Sequence, residues 1–229
     1  AADIVTALYF REMNIDPADP KKADRDKFIL SKGHAGPVQY AALAERGYYP
    51  VSDMMSLRKL GSRFQGHPNM QKVPGIEMST GSLGQGISVS VGMALANKMD
   101  GNPGRVYTLL GDGELQEGQT WECVQTAGYY KLDNFVMVID ANGQQVEGAI
   151  EDQMTEEPLI DRFTSFGAVC VEANGHDIED FCKACETPHE GKPLVVIART
   201  HGWTGVKPLE KPRSMHFLSL IHISEPTRH

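Results

Sequence analysis

Apolar and polar positions along this chain fall into blocks, and the period of the pattern changes from block to block. Val106-Tyr-Thr-Leu-Leu110 and Phe135-Val-Met-Val-Ile139 have no polar face of their own, which suits strands covered on both sides. Shorter runs of the same kind, Gly167–Glu172 and Pro193–Arg199, predict two further strands. A helical period occupies the stretches between, over Gln116–Lys131, Pro158–Ser165 and Ile178–Glu186. The N-terminal third reads as helices with long connections: Ala1–Met13, His34–Arg46 and Ser52–Leu60, then a loop punctuated by glycine and proline from Gly61 to Gly75. A helix rich in small residues follows at Ile87–Met99, where Ser88, Gly92 and Ala96 permit very close packing against the sheet or a partner helix. Strands alternating with helices predict an α/β fold, a doubly wound and mostly parallel sheet flanked by helices, with its ligand across the carboxyl edge.

Chemistry concentrates where the two apolar strands end. The first runs directly into Gly111-Asp112-Gly113, and the second into Asp140-Ala141-Asn142-Gly143. The glycines allow a tight turn and a close approach to a ligand, while Asp112 projects from the strand tip. With a helix between them, the strands form one β-α-β unit whose right-handed crossover brings both tips to the same edge. A carboxylate, an amide oxygen and a nearby loop carbonyl make an all-oxygen set suited to Mg²⁺ or Ca²⁺, with the remaining positions left for phosphate oxygens.

These residues also carry a resemblance. Gly-Asp-Gly with Asn142 thirty positions after Asp112 resembles the thiamine diphosphate-binding motif. The text GDGELQEG, YKLDN and DANGQQVEG is similar to transketolase, most of all to the separate N-terminal subunit of split transketolases. The likeness runs from near Ala1 to about Thr200. It implies the thiamine diphosphate-binding fold, with Mg²⁺ (or Ca²⁺ or Mn²⁺) held by Asp112, Asn142 and the backbone carbonyl of Gln144. Gly113 would offer an N–H to the diphosphate. The loop Gly81-Ser-Leu-Gly84-Gln-Gly86 would contact the cofactor through its backbone, with Leu83 near the aminopyrimidine and Val146 on the other side. His34, in Ser31-Lys-Gly-His34, and His67, in Gly66-His-Pro68, match histidines that line the cofactor and substrate cleft, where imidazoles hydrogen bond and move protons. Glu117 corresponds to a carboxylate network that joins two active sites across a subunit interface; a carboxylate favourably placed near a helix N-terminus is the alternative. Glu114 reads as solvated or as a secondary contact. His216 matches, at a weaker local resemblance, a histidine reaching the cofactor phosphates. His176 reads as a structural cap for the helix after it, and His189 and His201 carry no assignment.

The resemblance implies transfer of a two-carbon ketol unit from a ketose phosphate to an aldose phosphate. The glutamate that activates the aminopyrimidine lies on a pyrimidine-binding domain, and 229 residues do not hold a second α/β domain. A C-terminal transketolase subunit, in an α₂β₂ assembly, would supply it, unless the chain is a fragment of a longer one. The alternatives are a 1-deoxyxylulose-phosphate synthase-like enzyme acting on pyruvate, or a non-catalytic cofactor-binding subunit.

Composition narrows the remaining classes. A formal net charge of −8 argues against general nucleic-acid binding, and no apolar run approaches the length of a membrane span. Four cysteines are too few for a disulfide scaffold and suggest a reduced, cytoplasmic protein. Cys182-Lys-Ala-Cys185 has redox spacing but lies inside a helical pattern rather than between a strand and a helix, which leaves it two small residues on a surface helix. The chain opens in helical periodicity, and the family's Gly-His-Pro-Gly segment, with its substrate-site histidine, does not occur in it. Leu218-Ser-Leu-Ile-His-Ile-Ser-Glu-Pro-Thr-Arg228 resembles the in-frame translation of a sequencing adapter, so residues 1–217 are taken as the domain and 218–229 as a non-native tail.

Overall fold

The structure is a computed structural model and describes residues 1–202, 204 and 205. His216 and the tail from 218 to 229 lie outside the described residues. Five parallel strands, β1 (Lys27–Leu30), β2 (Val106–Gly111), β3 (Phe135–Ala141), β6 (Val169–Asn174) and β7 (Leu194–Arg199), form a sheet in the order β1-β2-β3-β7-β6. The register sets Leu109 beside Leu30 and Val138, and Gly111 beside Asp140, so the tips of β2 and β3 finish level. Two further short strands, β4 (Gln144–Gln145) and β5 (Gly148–Ala149), make an antiparallel hairpin just beyond β3.

Alternation along each strand sends side chains to two separate cores. Leu30, Tyr107, Leu109, Val138 and Val196 face α1 (Ala2–Ala7, continued by a π turn to Glu12), α2 (Gly36–Glu45) and α6 (Ile178–Cys185). Ile29, Leu110, Met137, Ile139 and Ile197 face α3 (Gln85–Met99), α4 (Gly118–Tyr129) and α5 (Leu159–Ser165). Handedness explains the split. The connections β2→β3 and β3→β6 advance across the sheet and put α4 and α5 on one face; β6→β7 steps back, and a right-handed crossover then puts α6 on the other.

The doubly wound expectation holds, and four local expectations change. Lys27–Leu30, read as part of a helical third, is an edge strand. The helix expected over Ser52–Leu60 is a 3₁₀ stretch, Val51–Ser56; none of its residues is buried, so no apolar stripe carries it further. The helix after Gly-Asp-Gly comes in two pieces, a 3₁₀ segment at Asp112–Gln116 and then α4. Cys182 and Cys185 sit on the buried face of α6. Burial pushes the Cys182 thiol up to about 12 and the Cys185 thiol up as well, so a thiolate-based redox pair has no support here.

Candidate functional site

Three neighbouring strands deliver three motif segments to one edge of the sheet. β1 runs into Ser31-Lys32-Gly33-His34, β2 into Asp112-Gly113-Glu114, and β3 into Asn142-Gly143. The Asp112 carboxylate joins the last two. Its Oδ1 accepts the Gly113 N–H at 3.1 Å and its Oδ2 the Gly143 N–H at 2.6 Å. Gly143 turns through φ +70°, a left-handed conformation that favours glycine. Asn142 Oδ1 accepts the Gln144 N–H at 2.8 Å, which fixes its amide at the head of the β4–β5 hairpin. Asp112 is 8% exposed, and burial pushes its pKa up to about 6 against the Gly143 amide and the charge of Lys32. A carboxylate in this state readily exchanges its proton for a cation near neutral pH.

Below this turn lies an ion pair that sequence reasoning missed. Lys32 Nζ reaches Asp140 Oδ2 at 2.5 Å, both groups are buried, and Thr200 Oγ1 donates to Asp140 Oδ1 at 2.5 Å. Burial alone would raise the Asp140 pKa; the Lys32 charge and these hydrogen bonds hold it well below the usual carboxylate range. The signal was present in the sequence, since an aspartate closing a fully apolar strand needs a counter-charge if it stays buried.

The Ser31–His34 turn and the glycine loop touch backbone to backbone. A Cβ on Gly33 would come within 2.7 Å of the Thr80 and Gly81 backbone, and one on Gly86 within 2.7 Å of the Ser31 Cα. The loop ends at Gly84, which has φ +78° and caps the start of α3. The His67 ring stands over Gly81, 3.1 Å from where a Cβ would be.

A cleft of about 490 Å³ opens between these segments, lined among others by Lys32, His34, Leu83, Asp112, Asn142 and Val146. A second cleft, of about 900 Å³, shares Asp112, Asn142 and Gln144 with it and extends towards Glu157, Arg199 and His201. The turn joining Asp112 to Asn142 stands where the two meet. Gly113 belongs to the first cleft, and a side chain there would crowd Gln145, whose Cβ would lie 3.2 Å away.

The structure thus brings Asp112, Gly113, Asn142, Gln144, His34 and Leu83 together at one cleft, with Glu117 and Val146 on its rim, both exposed. Gly81 and Gly84 lie in the adjoining loop, and His67 is exposed beside Gly81. Glu117 occupies the N-cap of α4 without a capping side-chain bond, so its carboxylate is not used to close that helix. Two sequence readings change. Glu114, read as solvated or as a secondary contact, is 2% exposed and so not solvated; the 3₁₀ turn after Asp112 rotates it inward, where its Oε1 accepts the Gly84 N–H at 2.8 Å and the Ser31 hydroxyl. Burial raises its pKa, opposed by those bonds and by the nearby Gly111 amide. His176 is not the helix cap: Asp177 accepts from the Glu179 and Asp180 amides, while His176 Nδ1 bonds Asp3 at 2.7 Å and its Nε2 accepts the His201 N–H at 2.8 Å.

Residues 1–216 match the family described as "Transketolase, thiamine diphosphate binding domain". The chain belongs to the transketolase family, as its thiamine diphosphate-binding domain. It is 40% identical to the 6-deoxy-6-sulfo-D-fructose transketolase subunit of Clostridium sp. (strain MSTE9), over 95% of this chain and 80% of that one. It is also 40% identical to an apulose-4-phosphate transketolase subunit of Actinobacillus succinogenes, over 93% and 78%. The crystal structure of transketolase from Campylobacter jejuni superposes with a TM-score of 0.80 at 35% identity, covering 86% of this chain. The chain spans 32% of the length of that transketolase chain.

The residues at the β2–β3 edge suit a diphosphate held through a hard cation. The side chains of Asp112 and Asn142 at the turn offer oxygens, one carboxylate and one amide, and Gln144 lines the same cleft. Gly113 leaves the approach to them clear of a side chain. Among the described residues no group of three or more His, Cys, Asp or Glu could hold a metal alone, so a cation at this turn needs further oxygens, such as those of a phosphate.

Proposed function

We propose that this domain anchors thiamine diphosphate in a two-subunit transketolase that moves a two-carbon ketol unit from a ketose phosphate to an aldose phosphate. One observation carries the reading: Asp112 and Asn142 stand at level tips of adjacent parallel strands, joined through the Gly143 amide, and open onto a cleft that His34 and Leu83 also line. Bound thiamine diphosphate would supply the electron sink for carbon–carbon bond cleavage. In this proposal Asp112, Asn142 and the Gln144 carbonyl hold Mg²⁺ against the diphosphate, and the Gly113 amide approaches its oxygens. Leu83 and Val146 border the organic part of the cofactor and keep water from it. His34 and His67 hydrogen bond the sugar hydroxyls and move protons at their ring nitrogens. Glu117, exposed on the rim, meets the complementary pyrimidine-binding subunit, and so does the face of α3 that carries Ser88, Gly92 and Ala96. Gly92 and Ala96 are exposed there, and a Cβ on Gly92 would meet nothing within 4 Å. The assembly proposed is α₂β₂, and four thiols without a disulfide support a cytoplasmic setting. The relatives named as transketolase subunits for a sulfo-sugar and for apulose 4-phosphate put sugars of both kinds among the candidate substrates.

The test is reconstitution. The purified chain with thiamine diphosphate and Mg²⁺ should turn over no ketose phosphate, and adding the complementary C-terminal subunit should produce transfer to an aldose phosphate. Appreciable turnover by the chain alone would overturn the two-subunit reading. Consumption of pyruvate in place of a ketose donor would point to a 1-deoxyxylulose-phosphate synthase-like enzyme, and cofactor binding without any turnover to a non-catalytic subunit.

A further inference from the structure

Glu114 has no part in the mechanism above, yet it is among the most deeply buried charged side chains at the carboxyl edge. Its two oxygens are used unequally. Oε1 takes both the Gly84 N–H and the Ser31 hydroxyl, while Oε2 is fully buried with no hydrogen-bond partner. The nearby Gly111 amide favours the charged form of the carboxylate. As a device for stability this is poor, because an unpartnered buried oxygen has given up water and gained no donor in return. What the arrangement achieves is geometric. One atom, two residues beyond Asp112, grips the end of the glycine loop and the start of the Ser31–His34 turn, segments otherwise far apart in sequence.

We propose that Glu114 is the positioning residue of the cofactor cleft, setting Leu83 and His34 relative to Asp112 by holding Gly84 and Ser31 on a single oxygen. The inference rests on the thiamine diphosphate reading given above. Leu83 lies one residue before the gripped Gly84, and His34 three residues after the gripped Ser31; both line the 490 Å³ cleft with Asp112. Released from Glu114, the loop has a free left-handed glycine at its end, and the Leu83 wall of the cleft loses its fixed distance from the metal-binding turn. The metal ligands themselves, on β2 and β3, stay where the sheet holds them. Glu114 should therefore matter to the part of the cofactor distant from the metal and not to the diphosphate.

The experiment compares two ligands in the complex with the complementary subunit. Calorimetry at saturating Mg²⁺ measures thiamine diphosphate and, separately, inorganic pyrophosphate, and hydrogen exchange follows residues 79–86 without ligand. Glu114→Ala should weaken thiamine diphosphate by ~10-fold or more, leave pyrophosphate within ~2-fold, and speed exchange across the loop. Glu114→Gln keeps an oxygen that accepts both bonds and should return thiamine diphosphate to within ~3-fold of the parent. Ser31→Ala, which removes one donor, should weaken thiamine diphosphate by a smaller factor and carries the test if Glu114→Ala does not assemble. Unchanged thiamine diphosphate affinity in Glu114→Ala, or in Ser31→Ala where that variant carries the test, overturns the inference. So does an equal loss for both ligands. A parent complex that binds no thiamine diphosphate overturns the functional reading instead, and loop exchange alone then decides the role of Glu114.

Discussion

The two ends of the same sheet treat buried carboxylates differently. At the amino edge, Asp26 is 6% exposed and spends each oxygen on a backbone amide, Asn14 N–H at 2.8 Å and Arg105 N–H at 2.7 Å. It ties the connection ahead of β1 to the start of β2 and faces none of the clefts described above. At the carboxyl edge, Glu114 stacks two donors on one oxygen and leaves the other without a partner, and Asp112 opens onto two clefts. Similar burial faces the scaffold alone at one end and a cleft at the other. Bonds to backbone amides therefore do not tell the two edges apart, since Asp112 and Asp26 each accept two; what separates them is that only Asp112 opens onto clefts.

The sharpest way to break this contrast is Asp112→Ala. Its side chain lies at a strand tip outside both cores but accepts two backbone amides, so some stability goes with it, while Mg²⁺-dependent thiamine diphosphate affinity falls by at least ~100-fold, read by calorimetry in the reconstituted complex. Equal affinity in variant and parent would remove Asp112 from the proposed metal site. Asp26→Ala should cost stability alone. Two backbone amides lose a charged acceptor, so denaturant unfolding should report a loss of about 2–3 kcal/mol, with cofactor affinity unchanged. If Asp26→Ala weakened the cofactor instead, the division between the edges would not stand.

A smaller effect sharpens the same point through pH. Asp112 is pushed up to about 6 by burial, so it carries a proton in the metal-free domain below that pH and is an anion above it. Metal needs the anion, so Mg²⁺-dependent affinity should hold from pH 8 to about 7 and then fall, approaching tenfold per unit below about pH 6. A flat titration from about pH 7.5 to 5.5 would contradict the proton competition. The smallest effect expected is none at all. Cys170 and Cys182 are pushed up to about 12 by burial, and Cys123 and Cys185 are raised too. Iodoacetamide at about pH 8 should leave these four thiols unlabelled in the folded chain and label them all in denaturant, counted by intact mass.

How much of this was legible beforehand differs by kind of signal. β2 and β3 declared themselves, because strands covered on both faces must be apolar throughout, and the glycines after them fixed where the tips lie. β1 did not: four residues headed by Lys27 have no period to read, and their strand character comes from pairing with β2. Asp112 and Asn142 were readable because they lie within one β-α-β unit. Glu114 was not, since its burial depends on Gly84 and Ser31, both distant in sequence, and on a 3₁₀ turn that no local pattern announces. The Lys32–Asp140 pair was half legible: Asp140 at the end of an apolar strand asks for a counter-charge, but no local pattern names Lys32, 108 positions away, as its source.

The glycine contacts between the Ser31–His34 turn and the loop at 79–86 have a consequence for anyone re-engineering such a site. Gly33 against Thr80–Gly81 and Gly86 against Ser31 leave no room for even a methyl group, so neither segment can drift alone. Grafting a foreign sequence into one of them would bring a backbone shaped for a different neighbour, and the mismatch would land on His34 and Leu83 together. The two segments, with Glu114 as their clasp, form one exchangeable cassette. Libraries aimed at altered acceptors are better built by swapping all three pieces from a single donor than by randomising either loop alone.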